Sequence, residues 1–332
     1  EWADKYLEPL ANSDLVRPCI QTHTRVDAVA RDTSQIDDET PRSDTPFRIL
    51  LTDAEGQQRA DTADIVIDAT GTWEKANPLG RGGAAAIGET PDLENSLPDE
   101  TIFDRRIPDL SKTKLKERSR VLVVGRGFSA ATNIMQLKEL HDRDPSIRCV
   151  WLTRGKPNDS GPMRVIVNDP LPYREELARA ANTVARHADW LDWKPGVEVS
   201  AIHFENDHFR MVLSDGEELI VDHVLANTGF RGDYEMLDAL KVHRCYGSGG
   251  PMAWAASIAD SSADCLEQTS AGPDALRTTE SGFFIIGSKS YGTDPRFLFS
   301  TGLQQIRDMF KIIAQRDSLN LYATMQPNTS VG

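Results

Sequence analysis

Residues 24–32, TRVDAVARD, alternate apolar and polar positions, which predicts a strand with Val26, Ala28 and Ala30 on one face. The polar, proline-bearing stretch 33–46 predicts a loop. FRILLTD then predicts a second strand, Glu55-Gly56 a turn, and residues 57–61 its return. The next run, DIVIDA, is apolar almost throughout, the pattern of a strand covered on both faces. The same order recurs later in the chain. GVEVSAIHFEND and HFRMVLSD predict paired strands, Asp215-Gly216 a turn, EELIV a return and HVLANTG a buried strand. Each copy ends on Thr-Gly, at Thr70-Gly71 and Thr228-Gly229. Two chance hairpins are the plain alternative, but the turn dipeptide and the closing Thr-Gly recur in the same order, which favours a repeat.

Between the copies, RVLVVG predicts a buried strand that runs straight into Gly125-x-Gly127-x-x-Ala130. Ala130, Ile134, Leu137 and His141 then follow at helical spacing, and RCVWLTR predicts another apolar strand. A glycine turn inside a βαβ unit is the context that makes it a dinucleotide fingerprint. Gly125 permits the tight turn, Gly127 lets the backbone approach a pyrophosphate, and Ala130 keeps helix and strand close. The free N–H groups of the helix start, at Phe128 and Ser129, would face the phosphates. The nearby GFSAA approaches a hydrolase nucleophile elbow, but Ala131 stands where that motif needs glycine. At the end of the second strand an NAD-selective protein would carry Asp or Glu; this chain has Thr153-Arg154-Gly155-Lys156. Arg154 can pair with a 2′-phosphate, which points to NADPH; a solvated surface arginine is the other reading.

Composition narrows the partners. With 332 residues the chain is long enough for two domains, and a net charge of −14 argues against nucleic acid and anionic membranes. No apolar run approaches the roughly 20 residues of a membrane span. The four cysteines, Cys19, Cys149, Cys245 and Cys265, form no close pair, which suits a reducing cytoplasm. The chain starts at Glu1, so a targeting segment stays open. The histidines show no ligand spacing, and no metal site is expected; His203 and His208 flank one hairpin turn. The expected partner is a small-molecule substrate, and self-association into a homo-oligomer stays open.

With these features the sequence resembles flavoproteins that carry two dinucleotide-binding domains, in particular the flavin-dependent monooxygenase and lysine/ornithine N-hydroxylase-like branch. NPLGRGGAAAIGE, DCLEQTSAGPDALR and FFIIGSKSYGTDPRFLFSTGLQQIRD carry that likeness. The resemblance implies an α/β chain in which a Rossmann-like NADPH domain, residues 115–245, is inserted into an FAD domain of the same type, residues 1–114 and 246–332. The FAD half would lack its N-terminal βαβ unit and glycine loop. By the same resemblance, Val26 would offer its backbone to the FAD adenine, and Ala69, Thr70 and Gly71 would close over the FAD phosphates. Thr228 and Gly229 are their NADPH-side counterparts. Gly287 and Ser288 would approach the flavin, and the final helix, with Gly302 in its first turn, would aim its N-terminus at the ring. Leu303, Ile306, Phe310 and Ile313 should form that helix's inner face. Lys289 and Tyr291 are the candidates for an active-site role, although a loop-surface position suits them equally.

Departures from the pattern matter as well. IFDRRIPDLSKTK lacks the Phe-x-Gly and His of the flavin monooxygenase fingerprint, and no Cys-x-x-Cys marks a thioredoxin-reductase-like enzyme. The expected function is an FAD- and NADPH-dependent oxidoreductase of monooxygenase type, with hydride passing from NADPH to flavin. The alternative is a non-catalytic nucleotide-binding fragment.

Overall fold

A computed structural model describes residues 3–33, 42, 45–113, 115–156, 161–167, 169, 171–259 and 272–323. The chain forms two compact units, Glu1–Thr72 with Gly232–Gly332, and Trp73–Arg231. In the first unit a short helix α1 (Glu8–Ala11) precedes β1 (Arg25–Arg31), β2 (Phe47–Thr52), β3 (Gln58–Ala63) and β4 (Val66–Asp68). The second unit runs β5 (Lys75–Ala76), β6 (Phe103–Asp104), β7 (Arg120–Val124), α2 (Phe128–Arg143), β8 (Arg148–Thr153) and α3 (Pro172–His187). It continues with β9 (Leu191–Pro195), β10 (Val199–Glu205), β11 (His208–Leu213), β12 (Glu218–Val221), β13 (His223–Ala226) and β14 (Phe230–Arg231). The chain then completes the first unit with α4 (Met252–Ala259), β15 (Phe283–Ile285) and α5 (Phe299–Ile313).

The second unit is built on a five-stranded parallel sheet of order β6-β13-β7-β8-β9. Side chains alternate between its faces. Val121, Val123, Cys149, Trp151 and Leu225 pack towards α2 and α3, where Ala130, Ala131, Ile134 and Leu137 are fully buried. Leu122, Val124, Val150, Leu152, Val224 and Ala226 pack towards the meander β10-β11-β12, against Phe209 and Met211. Both faces are covered, which is why these strands read as continuous apolar runs. The segment before β7 belongs to this unit, because β6 extends the sheet and Leu79, Ala86, Leu93 and Phe103 fill its core. The compact units part at 72/73 and 231/232.

The repeat extends to the backbone. β1-β2-β3 and β10-β11-β12 are both antiparallel three-stranded sheets. Each carries an irregularity early in its first strand, between Val26 and Ala28 and between Val199 and Ala201. β4 pairs in parallel with β15 as β13 does with β6, and the partners match: Val66 with Phe283, Val224 with Phe103. Ile67 thus corresponds to Leu225. Leu225 is 0% exposed beneath α2, whereas Ile67 is 40% exposed. Ile65 is 39% exposed as well, so DIVIDA is not covered on both faces as its pattern suggests; among the described residues β4 pairs with β15 alone.

Two further expectations are corrected. The bulge in β1 breaks the simple alternation, so Val29 and Arg31 point into the core while Val26 is exposed and Ala28 and Ala30 are half-buried. In α5 the buried positions are Thr301, Gln305, Asp308 and Met309; Leu303 is exposed, and Ile306, Phe310 and Ile313 flank the core. A polar face turned inward cannot be read from apolar spacing. Most of the loop 33–46 and of DCLEQTSAGPDALR lies outside the described residues.

The contrast at the two equivalent positions has a measurable consequence. Leu225→Ala should lower stability by about 2–5 kcal/mol, as a cavity under a helix does. Ile67→Ala should cost well under that, about 1 kcal/mol or less. Urea unfolding of both variants checks the difference, and equal losses would contradict the assigned correspondence.

Candidate functional site

In the second unit, the carboxyl ends of the parallel strands converge on the glycine turn. Gly125 has φ +131°, and a Cβ there would lie 2.2 Å from the Asn227 carbonyl oxygen at the end of β13. Only glycine fits that contact. Gly127 is different: it sits at the N-cap of α2 in extended conformation, and a Cβ there would meet nothing within 4 Å. The protein's own packing does not require a glycine at this point. Open space above a bare backbone is what an approaching phosphate needs. No side chain caps α2, so the N–H groups of its first turn are left for an anion. Phe128 is 38% exposed and Ser129 half-buried at that turn, while Ala130 is fully buried beneath it.

Arg154 lies just past β8 and is exposed. A neighbour joins it that the motif reading passed over: Arg126, between the two glycines, reaches across so that a Cβ on Gly155 would lie 3.0 Å from its Nη1. Among the described residues neither guanidinium is ion-paired to a carboxylate. Two arginines without a carboxylate partner near the start of α2 and the end of β8 form a local basic site in an otherwise acidic chain.

The turn after β13 is tied down by Asn77. Its backbone N–H donates to the Gly229 carbonyl (2.9 Å), its Nδ2 to the Thr228 carbonyl (3.2 Å), and Thr228 Oγ1 donates to the Asn77 carbonyl (2.5 Å). Two buried asparagines link the turn to the helix: Asn133 Nδ2 donates to Asn227 Oδ1 (2.8 Å), and Asn227 Nδ2 to the Arg106 carbonyl (2.8 Å). Asn77, Asn133 and Asn227 carried no recognisable motif. The Asn133 position one turn into α2 and Asn227 just before Thr-Gly were the available signals.

In the first unit, β4 and β15 end side by side. Gly71 has φ +73° and follows the exposed Ala69 and Thr70. The Gly287 N–H donates to Gln305 Oε1 (2.8 Å), so it is already engaged; Ser288 is half-buried. α5 begins without a side-chain cap, and a Cβ on Gly302 would lie 3.1 Å from the Phe297 ring. Val26 is exposed on β1.

Lys289 and Tyr291 do not sit on a loop surface. Lys289 is 0% exposed and its Nζ lies 2.6 Å from Asp68 Oδ2 and donates to Thr70 Oγ1 at 3.1 Å. It also lies 4.9 Å from the Tyr234 ring centroid. Tyr234 donates its hydroxyl to the Lys289 carbonyl (2.8 Å), and burial pushes its own ionisation up to about 12. Tyr291 packs between Trp254 and Phe297 as a core aromatic. Asp68 Oδ1 in turn accepts from the Thr70 N–H and hydroxyl, so the ion pair is wired to the Thr70–Gly71 turn.

The two halves differ in how well they suit a dinucleotide. The glycine turn, open Gly127, uncapped helix and free arginines of the second unit fit one. The first unit has the closing turn, the β15 end and the α5 start, but no glycine-rich strand-turn-helix among its described residues, so it fits FAD only in part.

The fold is a Rossmann-like α/β fold with a five-stranded parallel sheet. No protein-family model matches the sequence, and no curated protein does. Among solved structures, the chain is similar to the bacillithiol disulfide reductase Bdr of Bacillus cereus, with TM-score 0.63, 19% identity, and 95% of this chain and 77% of that chain covered. It is similar to LpdA of Mycobacterium tuberculosis, with TM-score 0.53, 15% identity, and 87% and 49% covered. It is also similar to the ornithine N-hydroxylase KtzI of Kutzneria sp. 744, solved with reduced FAD, NADP+ and L-ornithine, with TM-score 0.54, 15% identity, and 88% and 72% covered. The chain thus spans from about half to about three quarters of the length of these proteins.

The buried pair can be tested without any ligand. Lys289→Met and Asp68→Leu should each destabilise by about 3–5 kcal/mol, because either leaves an uncompensated buried group. The double variant Asp68→Leu/Lys289→Met should cost much less than the sum. A double-mutant cycle by urea unfolding measures the coupling, and additive losses would contradict the pairing.

Proposed function

We propose that this chain is an FAD- and NADPH-dependent oxidoreductase, with NADPH held by the second unit. The observation that carries the reading is the open space at Gly127, set on an uncapped helix start beside Arg126 and Arg154. A bound flavin and nicotinamide would supply the redox chemistry, and the chain's part is to bind and orient them. Within that class the monooxygenase side is favoured. The chain has no Cys-x-x-Cys, and Cys149 is buried with its thiol pushed high by desolvation. One similar structure is an N-hydroxylase, while another is a disulfide reductase. Anaerobic addition of NADPH to flavin-loaded protein should bleach the flavin absorbance; an unchanged spectrum would sink the proposal.

A second reading has its own observation. Ile67 is exposed where its counterpart Leu225 is covered, and β4 pairs on one edge only among the described residues. On that reading the chain is a nucleotide-binding module that takes NADPH and holds FAD weakly. It predicts colourless purified protein that still binds NADPH; a stoichiometric yellow flavin spectrum would overturn it.

The cofactor preference rests on Arg154. A guanidinium forks two charge-assisted hydrogen bonds to a 2′-phosphate, about 1.5–3 kcal/mol or roughly 10- to 150-fold in affinity. Arg154→Ala should weaken NADPH by that factor and leave NADH nearly unchanged. Calorimetric titration of both nucleotides decides it, and equal losses would mean that Arg154 does not read the phosphate.

A further inference from the structure

A cavity of about 720 Å³ lies within the second unit, at the carboxyl end of β6. The β5–β14 ribbon forms one wall, where the Trp73 and Phe230 rings pack at a tilt of 40° with centroids 5.4 Å apart. Trp73 is 62% exposed, an unusual state for tryptophan; Trp151, Trp190 and Trp254 are all buried. Two arginines line the same cavity. Arg105 is consumed by Glu89 (2.9 Å) and Glu94 (3.1 Å). Arg106 is exposed, its Nη2 makes only a 3.4 Å hydrogen bond to the Trp73 carbonyl, and among the described residues no carboxylate pairs with it. Beside the carboxylates of Glu74 and Asp104, the cavity therefore offers an exposed aromatic wall and one free guanidinium, a combination suited to a flat ring carried next to a phosphate.

The sheet order states which ring this is. Arg154 follows β8, the glycine turn follows β7, Thr228–Gly229 follows β13 and Arg106 follows β6, and these strands are neighbours in the order β8-β7-β13-β6. Three strand spacings of about 4.8 Å separate the two ends, roughly 14 Å in all. A dinucleotide with its 2′-phosphate at Arg154 and its pyrophosphate over Gly127 extends its other half past Asn227, whose amide is bonded to the Arg106 carbonyl. We infer that Trp73, Phe230 and Arg106 form a subsite for the nicotinamide-bearing half of NADPH, the ring resting on Trp73 and Arg106 meeting the adjoining phosphate. The inference rests on the NADPH reading of the glycine turn.

The two can be separated with a fragment. Adenosine 2′,5′-bisphosphate carries the 2′-phosphate half and no nicotinamide. Calorimetry should show Trp73→Ala and Arg106→Ala weakening NADPH, the former by roughly 5- to 150-fold as for loss of one stacked ring, while the bisphosphate binds as in wild type. Trp73→Phe should recover most of the loss, and the quenching of tryptophan emission by NADPH should shrink in that variant although binding returns. Thermal unfolding confirms that the variants fold, as expected for an exposed side chain. If wild type and Trp73→Ala bind NADPH equally while the bisphosphate binds, the subsite is wrong and the glycine-turn reading stands. If neither nucleotide binds wild-type protein, both fall.

Discussion

The contact on which the second unit depends is the approach of Gly125 to the Asn227 carbonyl. With a Cβ separation of only 2.2 Å available, no other residue allows β7 and β13 to finish at the same height. That coincidence lets Asn227 reach Asn133 on α2 and the Arg106 carbonyl, which fixes the helix start against the strand ends. Everything polar at the site hangs on this arrangement: the open backbone at Gly127, the arginine between the glycines, and the turn held by Asn77. A helix start so placed attracts anions through its free N–H groups and its partial positive charge.

The first unit repeats the meander and closing strand but puts a different device at the equivalent point. Where β13 ends in Ala226, β4 ends in Asp68, and Asp68 holds the fully buried Lys289. A buried ion pair is weak support for stability but fixes geometry, because neither partner can leave without stranding the other. Here it fixes Thr70, and with it the start of the glycine turn, through hydrogen bonds to both its N–H and its hydroxyl. Gln305 does the same for the Gly287 turn, accepting from Gly287 and donating to Ser290. The two units thus share a backbone plan while spending their polar groups differently.

Much of this was legible in the sequence, for local reasons. Apolar runs mark β7, β8 and β13, period-two alternation and Asp-Gly or Glu-Gly dipeptides mark the meanders, and Gly125, Gly127 and Ala130 mark the turn from β7 into α2. What was missed is nonlocal. The bulge after Val26 is a backbone irregularity that leaves no mark in residue type, and it moved the buried face from Ala28 and Ala30 to Val29 and Arg31. Lys289 reads as a loop lysine until its partner Asp68, more than two hundred residues earlier, is placed beside it. Trp73 and Phe230 are likewise far apart in the chain and meet only through the β5–β14 ribbon. The inward polar face of α5 defeats a search for apolar spacing because Gln305 and Asp308 are buried through hydrogen bonds and ion pairs.

The central proposal is that the glycine turn of the second unit binds a phosphate when the protein works. Hydrogen–deuterium exchange with and without saturating NADPH tests it most directly. The account predicts slowed exchange in the amides of residues 125–131, at the bare start of α2 and its preceding turn. Bound NADPH with unchanged exchange over those residues would contradict it.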